Sequence, residues 1–478
     1  MSANNAKLRR KRALERAKRR AKERGIALIM VLGAIAVLTV MLAEFQDDTS
    51  TELAGAVAEK DGVQAEYMAK SAVNLSRLLI ASEPTVRAAI APLFMMMKKT
   101  PPQLPVWEFS DRILGMFNDE QASKETTSAI GLDFSQGKNL GMPEGHFELV
   151  IVDEDAKINV NLGASNEIAH IRLAKELMGL MAGPQFNPLF EQNDALGQRH
   201  DRLQICSALI DWSDVDESTF NCDMTQSGGS GGGAVEDAYY QLLKIPYRRK
   251  NAPYDSLEEL HMVRGVGDDF WATFVDPDPE KPQKRVVTVW GQGAINVNTA
   301  NAQTLLGVVC AGAPTAEVCT NPLQASSFLT GVTMARGITM GAPLFGNAND
   351  FIKMMKGEGQ MGPMLTMIGM KPVKFLSESE FSKSITTESK MFSIYAVGVK
   401  KGVKRETRIR VHAVVDFRTA APLTGPSLPG NLGGPNAALG SNPAASQVQT
   451  KPTGSETGAI NAAMMPSTGG TVVYYRVE

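Results

Sequence analysis

The sequence predicts an α+β protein, with one long N-terminal helix, a helical region after it and a small antiparallel sheet near the C-terminus. Three observations predict this fold class. The uncharged run from Ile26 to Ala43 continues into helix-compatible sequence. Two β-rich runs, Met391 to Val399 and Thr407 to Phe417, flank a glycine-containing turn that is typical of a hairpin. Helix-forming stretches occupy much of the sequence between them.

The first element is an apolar helix that follows a basic segment. Met1 to Gly25 holds eleven Lys or Arg and two Glu, a net charge of +9, whereas the whole chain carries −2. Ile26 to Ala43 would span about 27 Å as a helix, enough to cross a bilayer core. The basic segment therefore predicts a cytoplasmic N-terminus with the body on the far side. A cleaved secretory signal is the alternative, but its apolar region would be shorter.

Beyond the membrane the same helix is expected to continue. Apolar residues recur at four-residue spacing between Leu53 and Leu79, with charged residues between them. Pro84 is expected to end the helix near Ser82, which gives a length of roughly 85 Å. A membrane anchor followed by a separate helix is the alternative.

A four-residue phrase occurs twice in the middle of the chain. Ile158-Asn159-Val160-Asn161 follows a predicted strand from Phe147 to Asp153, and Ile295-Asn296-Val297-Asn298 repeats the phrase. Each copy precedes helix-forming sequence, Ile168 to Met181 and Ala302 to Val309. Because Asn side chains bond nearby backbone and turn the chain, the repeat predicts two successive helical modules.

Four cysteines fall into two close pairs, and three connectivities are possible in principle. Proximity favours Cys206 with Cys222 and Cys310 with Cys319, in an oxidising compartment such as the periplasm. A zinc site is the alternative. Neither pair has the spacing of zinc ligands, and no histidine lies close to either pair in the sequence.

Composition and motifs argue against two classes of function. The residues after Gly25 sum to −11, which disfavours a body that binds nucleic acid, because phosphate contacts need a basic face. The sequence has no Gly-x-Ser-x-Gly elbow, no His-Glu-x-x-His motif and no phosphate loop. The chain is therefore expected not to be an enzyme. The five histidines are scattered: His146, His170, His200, His261 and His412.

The boundary between the basic segment and the apolar helix resembles the processing site of type IV prepilins. In that family a prepilin peptidase cuts after the Gly, here Gly25, and the new N-terminal residue, here Ile26, is methylated. The fifth mature residue is usually Glu, but here it is Met30. A carboxylate in the membrane is costly without a cationic partner, so a subunit with no neighbour above it gains nothing from Glu.

Further phrases, Leu209 to Asp216, Glu236 to Tyr240 and Leu257 to Leu260, resemble the K-type minor pseudopilin of the type II secretion system, also called general secretion pathway protein K. The resemblance covers Arg24 to about Ala302 well. It implies a pilin-like fold, a long helix packed on a small antiparallel sheet, split by a large insertion of two SAM-like or helix-hairpin modules. It also implies a non-catalytic subunit at the tip of the pseudopilus, which supports export of folded proteins across the outer membrane.

The resemblance also implies a location and a set of partners. The chain would be a single-pass inner-membrane protein with a cytoplasmic N-terminus and a large periplasmic domain. Its partners would be the I-type and J-type minor pseudopilins, other pseudopilins, the inner-membrane secretion platform and prepilin peptidase, with no nucleic acid. The expected segments are a basic leader 1–25, the N-terminal helix and first part of the pilin-like domain 26–161, a first inserted module with a disulfide and an acidic cluster 162–300, a second inserted module 301–385, a sheet hairpin 386–419, a disordered loop rich in Pro, Gly and Ser 420–470, and a terminal strand 471–478.

An acidic cluster in the first module is a candidate calcium site. Asp211, Asp214, Asp216 and Glu236 could supply oxygen ligands, which a hard cation collects at short spacing. Members of the resembled family can carry calcium in this region, and the ion's role would be structural. Asp residues in turns are also common as caps or solvated groups, so this alternative stays open.

A glycine-containing turn supports an alternative function. Val263 to Gly267 resembles the hairpin of helix-hairpin-helix DNA modules, which would suit a membrane-anchored, type IV pilin-like component of DNA uptake. Two glycines in a helix turn are common without any ligand. The neighbouring Asp268 and Asp269 also disfavour phosphate at this position.

Overall fold

The computed structural model confirms the α+β class. It describes residues 2–96, 100–118, 144–193, 197, 199–223, 230–235, 237–339, 341–359, 362–367, 369–402, 405–421 and 467–478. Most of the predicted disordered loop 420–470 lies outside the described residues. One long helix packs on a four-stranded sheet, and a region of short helices joins the sheet at one end.

Helix α1 runs from Ser2 to Met96 and is 95 residues long, about 140 Å at the usual rise per residue. The prediction that Pro84 ends it is wrong, because Pro84 lies inside the helix. Ion pairs hold the turn around this proline. The guanidinium of Arg87 donates to the carboxylate of Glu83 at 2.8 and 3.0 Å and to Glu388 Oε1 at 2.6 Å. The bond to Glu388 is a tertiary contact, and it helps to offset the backbone hydrogen bond that proline removes.

The main sheet contains strands β1 (Gly145–Asp153), β8 (Met391–Lys401), β9 (Glu406–Asp416) and β10 (Thr471–Val477), in that spatial order and all antiparallel. The predicted hairpin is present as β8 and β9. One face of the sheet packs on α1, and the core between them is apolar. Its members include Met68, Ala72, Ile80, Phe147, Ile151, Phe392, Ile394, Val411 and Val415.

Helix α1 and strand β8 approach each other most closely at a glycine. A Cβ atom at Gly398 would lie 1.9 Å from the backbone oxygen of Ala65 and 2.8 Å from the backbone nitrogen of Ala69. Gly398, Ala65 and Ala69 are all buried. The small residues therefore let the two backbones touch, and this contact fixes the distance between the helix and the sheet.

The two copies of the Ile-Asn-Val-Asn phrase open two similar modules. Strand β2 (Ile158–Asn159) pairs in parallel with β5 (Val287–Thr288), and β6 (Ile295–Asn296) pairs in parallel with β7 (Ile385–Thr386). Each module therefore begins and ends on a short two-stranded sheet.

The second Asn of each phrase binds a distant loop. Asn161 accepts from Tyr254 N at 2.7 Å and donates to Tyr254 O at 3.0 Å, while Asn298 accepts from Phe345 N at 2.9 Å and donates to Phe345 O at 3.0 Å. The first Asn, Asn159, accepts from the backbone nitrogen two residues later. Each phrase thus turns its own chain and holds another segment.

Helices fill both modules. The helices after α1 are α2 (Ser110–Leu114), α3 (Glu167–Met181), α4 (Asn187–Glu191), α5 (Arg202–Asp211), α6 (Ala238–Gln241), α7 (Asp268–Phe270), α8 (Ala302–Gly312), α9 (Glu317–Thr320), α10 (Pro322–Thr339), α11 (Ala348–Met355), α12 (Gly362–Met367) and α13 (Glu378–Ser384). Single-turn helices lie at Val106–Phe109, Gly115–Phe117, Val160–Ala164, Pro184–Phe186, Leu257–Met262, Trp271–Val275 and Pro282–Lys284.

A further hairpin pairs β3 (Ser218–Phe220) with β4 (Ser230–Val235). Gly179 of α3 and Gly307 of α8 meet where the two modules pack. The SAM-like identity of the modules stays a prediction.

Buried carboxylates join the modules to the sheet. Asp155, just after β1, accepts from Gln292 N and Lys390 N, both at 2.7 Å, and from Met391 N at 3.0 Å. Asp153 accepts from the hydroxyls of Thr299 and Ser389. Burial raises the pKa of both carboxyls; the charge of Asp155 raises that of Asp153 further, and the charge of Glu154 raises that of Asp155. The two modules are thus anchored at the end of β1 and the start of β8.

Candidate functional site

The predicted processing site lies within helix α1. Gly25 and Ile26 have helical backbone, and the side chains of residues 21–27 are outside the described part. Met30 is 69% exposed, and most of its apolar neighbours up to Phe45 are also exposed. By length and composition, α1 from Leu28 onward can cross a membrane. An apolar helical surface of this length needs lipid or other helices around it.

The acidic cluster lies at the end of α5. Asp211 is the last residue of that helix, and its Oδ1 accepts from Phe220 N at 2.8 Å. Asp214 is in the turn that follows and is almost fully buried. Asp216 is instead exposed, and its Oδ1 accepts from Ser218 N and Ser218 Oγ, both at 2.8 Å. Of the predicted ligands, Asp211 and Asp214 are therefore brought into one buried site, and Glu236 lies outside the described residues.

A buried arginine that was not predicted from the sequence lies in this cluster. Arg249, with 3% of its side chain exposed, donates from Nη1 to Asp211 O and from Nη2 to Asp216 O, each at 2.9 Å. It pairs with Asp214 Oδ1 at 3.6 Å and with Asp237 Oδ1 at 3.5 Å. The basic run around Arg249 in an acidic domain was the available signal, because a buried carboxylate needs a cation.

Arg249 does not compensate the cluster fully. Burial raises the pKa of Asp211 to about 8 and that of Asp214 to about 7, although the guanidinium lowers both. Hydrogen bonds from Ser218 lower the pKa of Asp216. Asp214 Oδ1 is buried without a hydrogen-bond partner among the described residues. A cation that prefers oxygen ligands, in addition to the Arg249 guanidinium, would bind Asp214 Oδ1. It would also stabilise the ionised forms of Asp211 and Asp214.

The fit to a metal ion is incomplete within the described residues. No group of three or more Asp, Glu, His or Cys side chains converges there as a metal site. Asp211 and Asp214 could supply two ligands, and a complete site would need further oxygens, such as those of Glu236. The chemistry of the donor set fits calcium, because carboxylates are its preferred ligands.

Each module contains one disulfide. Cys206 of α5 is bonded to Cys222, with an S–S distance of 2.01 Å, and Cys310 of α8 is bonded to Cys319 at 2.05 Å. The first bond links α5 to the chain just after β3, so it closes the loop that carries the acidic cluster. Both pairs are the ones that sequence proximity favours.

The glycine-containing turn at Val263 to Gly267 is only partly buried, and Gly267 is exposed. Val263 and Val266 are buried, and Gly265 has a φ of +82°. The Arg264 guanidinium lies 4.6 Å from the ring centre of Tyr239. The Arg264 cation is thus occupied by an aromatic ring, and the carboxylates of Asp268 and Asp269 at the start of α7 disfavour phosphate here.

The comparisons with known proteins bear on this part of the chain. The family model described as "Type II secretion system (T2SS), protein K" matches residues 156–274. The predicted resemblance to protein K is confirmed. The matched residues include α5, the acidic cluster and the Cys206–Cys222 disulfide. Features outside this range, including the processing site, are not part of the match to protein K.

A solved structure also matches this chain. The crystal structure of the GspK-GspI-GspJ complex from the enterotoxigenic Escherichia coli Type 2 Secretion System matches at 14% identity and a TM-score of 0.36. The similarity covers 65% of this chain and 91% of that chain. No curated protein matches the chain.

Proposed function

We propose that this chain is the minor pseudopilin at the tip of a type II secretion pseudopilus, with a structural rather than a catalytic role. The resemblance to protein K supports the secretion system. The observation that carries the tip position is where the modules attach. They join the sheet at Asp155 and Lys390, and this end of the sheet lies far along α1 from Ile26.

Contacts along α1 define the direction of the sheet. The end of β8 meets α1 at Ala65, through Gly398, whereas the segment before β8 meets it at Arg87, through Glu388. The two modules therefore lie at the end of the sheet that is remote from the membrane helix. A bulky body at this end leaves no room for another subunit above it, and this suits the last subunit of a filament.

The membrane helix supports the same position. Met30 occupies the place where a carboxylate would pair with a neighbour's N-terminal amine. A tip subunit has neighbours only below it, so it can lack that carboxylate without leaving a charge unpaired. The exposed apolar surface of α1 would pack against other pseudopilin helices after it leaves the membrane. The I-type and J-type minor pseudopilins are the partners that we propose for it.

A secretion assay tests this function. In a host that lacks the chromosomal gene, the wild-type chain should restore export of folded proteins to the medium, and Gly25→Ala should not, because the peptidase would leave the leader attached. Gly33→Ala is the matched control, since a Cβ atom at Gly33 meets nothing within 4 Å. Undiminished export without the gene would contradict the proposal, as would full export by Gly25→Ala.

We also propose that the acidic cluster binds calcium and that the ion stabilises the first module. Saturating calcium should raise the melting temperature, because a ligand at 100 times its Kd stabilises the native state by about 2.7 kcal/mol. Asp214→Asn should remove this shift, whereas Asp269→Asn, on an exposed carboxylate outside the cluster, should keep it. Titration calorimetry without binding heat, together with an unchanged melting temperature in chelator, would reject a calcium site.

A further inference from the structure

A cavity of about 400 Å³ separates the main sheet from the first module. Its sheet side is the face opposite α1, with Val150, Tyr395 and His412. Its module side is the segment from Asp276 to Trp290. The volume is in the range of small-ligand sites, and neither the secretion role nor the acidic cluster uses it.

Four buried polar atoms of the residues that line this cavity have no hydrogen-bond partner among the described residues. They are Asp276 Oδ1, Arg285 Nε, Ser393 Oγ and His412 Nε2. The Asp276 side chain is only 9% exposed. A buried polar group without a partner costs about 1–3 kcal/mol, so atoms of this kind are expected to take a partner such as water or a ligand.

The acceptor Asp276 Oδ1 and the donor Arg285 Nε belong to two side chains that bond each other. Arg285 Nη2 bonds Asp276 Oδ2 at 2.8 Å, and Arg285 Nη1 donates to the Tyr395 hydroxyl at 3.1 Å. Asp276 Oδ1 and Arg285 Nε therefore belong to one ion pair. A group that offers an N–H and a C=O side by side can satisfy both atoms at once. The peptide backbone is such a group.

The walls carry six carboxylates and four Lys or Arg side chains, and this net negative charge suits a peptide with a basic side chain. An aromatic surface lies beside the ion pair: Tyr395 stacks on His412 with ring centres 4.1 Å apart, and Tyr474 lies 5.1 Å from His412. Such rings attract cations over their faces. At the rim, the exposed Glu258 and Glu280 have no ion-pair partner in the described part of the chain.

We propose that this cavity binds an extended peptide segment of another protein, with its backbone on Asp276 and Arg285 and a Lys or Arg side chain toward the aromatic surface and the rim carboxylates. Water in the cavity is the competing occupant. This site is separate from the contacts of α1, so its failure would leave the proposed secretion role intact.

Calorimetric titration of the full chain in detergent with the capped tripeptide Ac-Ala-Lys-Ala-NH2 tests the proposal. Saturable binding is expected, and the emission of Trp290, which lines the cavity, should change with the same midpoint. Trp290→Phe identifies that signal among the four tryptophans. The Glu analogue of the peptide should bind at least about tenfold more weakly, a difference of about 1.4 kcal/mol.

Two variants separate a specific site from a structural effect. Asp276→Asn keeps the shape of the cavity but weakens its ion pair, and Val150→Phe fills it from the sheet side without touching that pair. Both should weaken peptide binding, whereas Glu317→Gln, on the exposed surface of the second module, should not. Absence of saturable binding, equal binding of the Glu peptide, or undiminished binding by Val150→Phe with an unchanged melting temperature would overturn the proposal.

Discussion

Gly398→Ala is expected to lower the free energy of unfolding by about 3 kcal/mol or more. The new methyl group would lie 1.9 Å from Ala65 O, and the atoms it meets are backbone atoms that cannot rotate away. Relief requires α1 to move off the sheet, which disrupts the core that contains Met68, Ala72 and Ile394. Overpacking of a well-filled core costs about 1–3 kcal/mol even where side chains can adjust. Urea unfolding followed by circular dichroism measures the loss.

Gly62→Ala in the same helix is the matched control. A Cβ atom there meets nothing within 4 Å, and alanine favours a helix over glycine by about 1 kcal/mol. The same substitution should therefore stabilise the protein at Gly62 and destabilise it at Gly398. Equal unfolding midpoints for the two variants would contradict the close contact between α1 and β8.

Glu176→Gln is expected to stabilise the protein increasingly as the pH rises from about 5 to 8. Glu176 of α3 is 1% exposed, both of its carboxylate oxygens lack a hydrogen-bond partner among the described residues, and burial raises its pKa to about 8. Between its unfolded pKa, near 4.3, and its folded pKa, the unfolded chain gives up a proton that the folded chain keeps. Stability therefore falls by about 1.4 kcal/mol per pH unit across this window and levels off above it.

Melting temperatures of the wild type and Glu176→Gln at pH 5, 6, 7 and 8 test this expectation. The difference between them should grow with pH, because other buried carboxyls, such as Asp153 and Asp211, titrate equally in both proteins. Glu167→Gln, on an exposed residue at the start of the same helix, should track the wild type. A difference independent of pH would mean that Glu176 is ionised in the folded protein.

Local patterns in the sequence were enough to predict the C-terminal hairpin, two of the helices and the repeated turns. The β8–β9 hairpin follows from two β-rich runs around Gly402, and α3 and α8 follow from the helix-forming sequence after each copy of the repeated phrase. The repeated Asn residues were correctly interpreted as turns, since Asn159 and Asn296 each bond the backbone two residues later.

Features that depend on contacts between residues distant in sequence could not be predicted from local patterns. Helix α1 passes Pro84 because Glu388, about 300 residues away, helps to hold the next turn. Strands β2 and β5 have only two residues each, too few for a periodic signal, and their partners are distant in sequence. For the acidic cluster, spacing found Asp211 and Asp214, but the position of Arg249 depends on the folding of a separate segment.

The mature N-terminus is the most direct test of the proposed role as a type II secretion pseudopilin. Intact-mass and fragmentation spectra of the protein purified from host membranes should show a chain that begins at Ile26 with one added methyl group on its amine. The same measurement on Gly25→Ala should show the chain with its leader. A native chain that retains Met1, or one cut at any other position, would contradict the account.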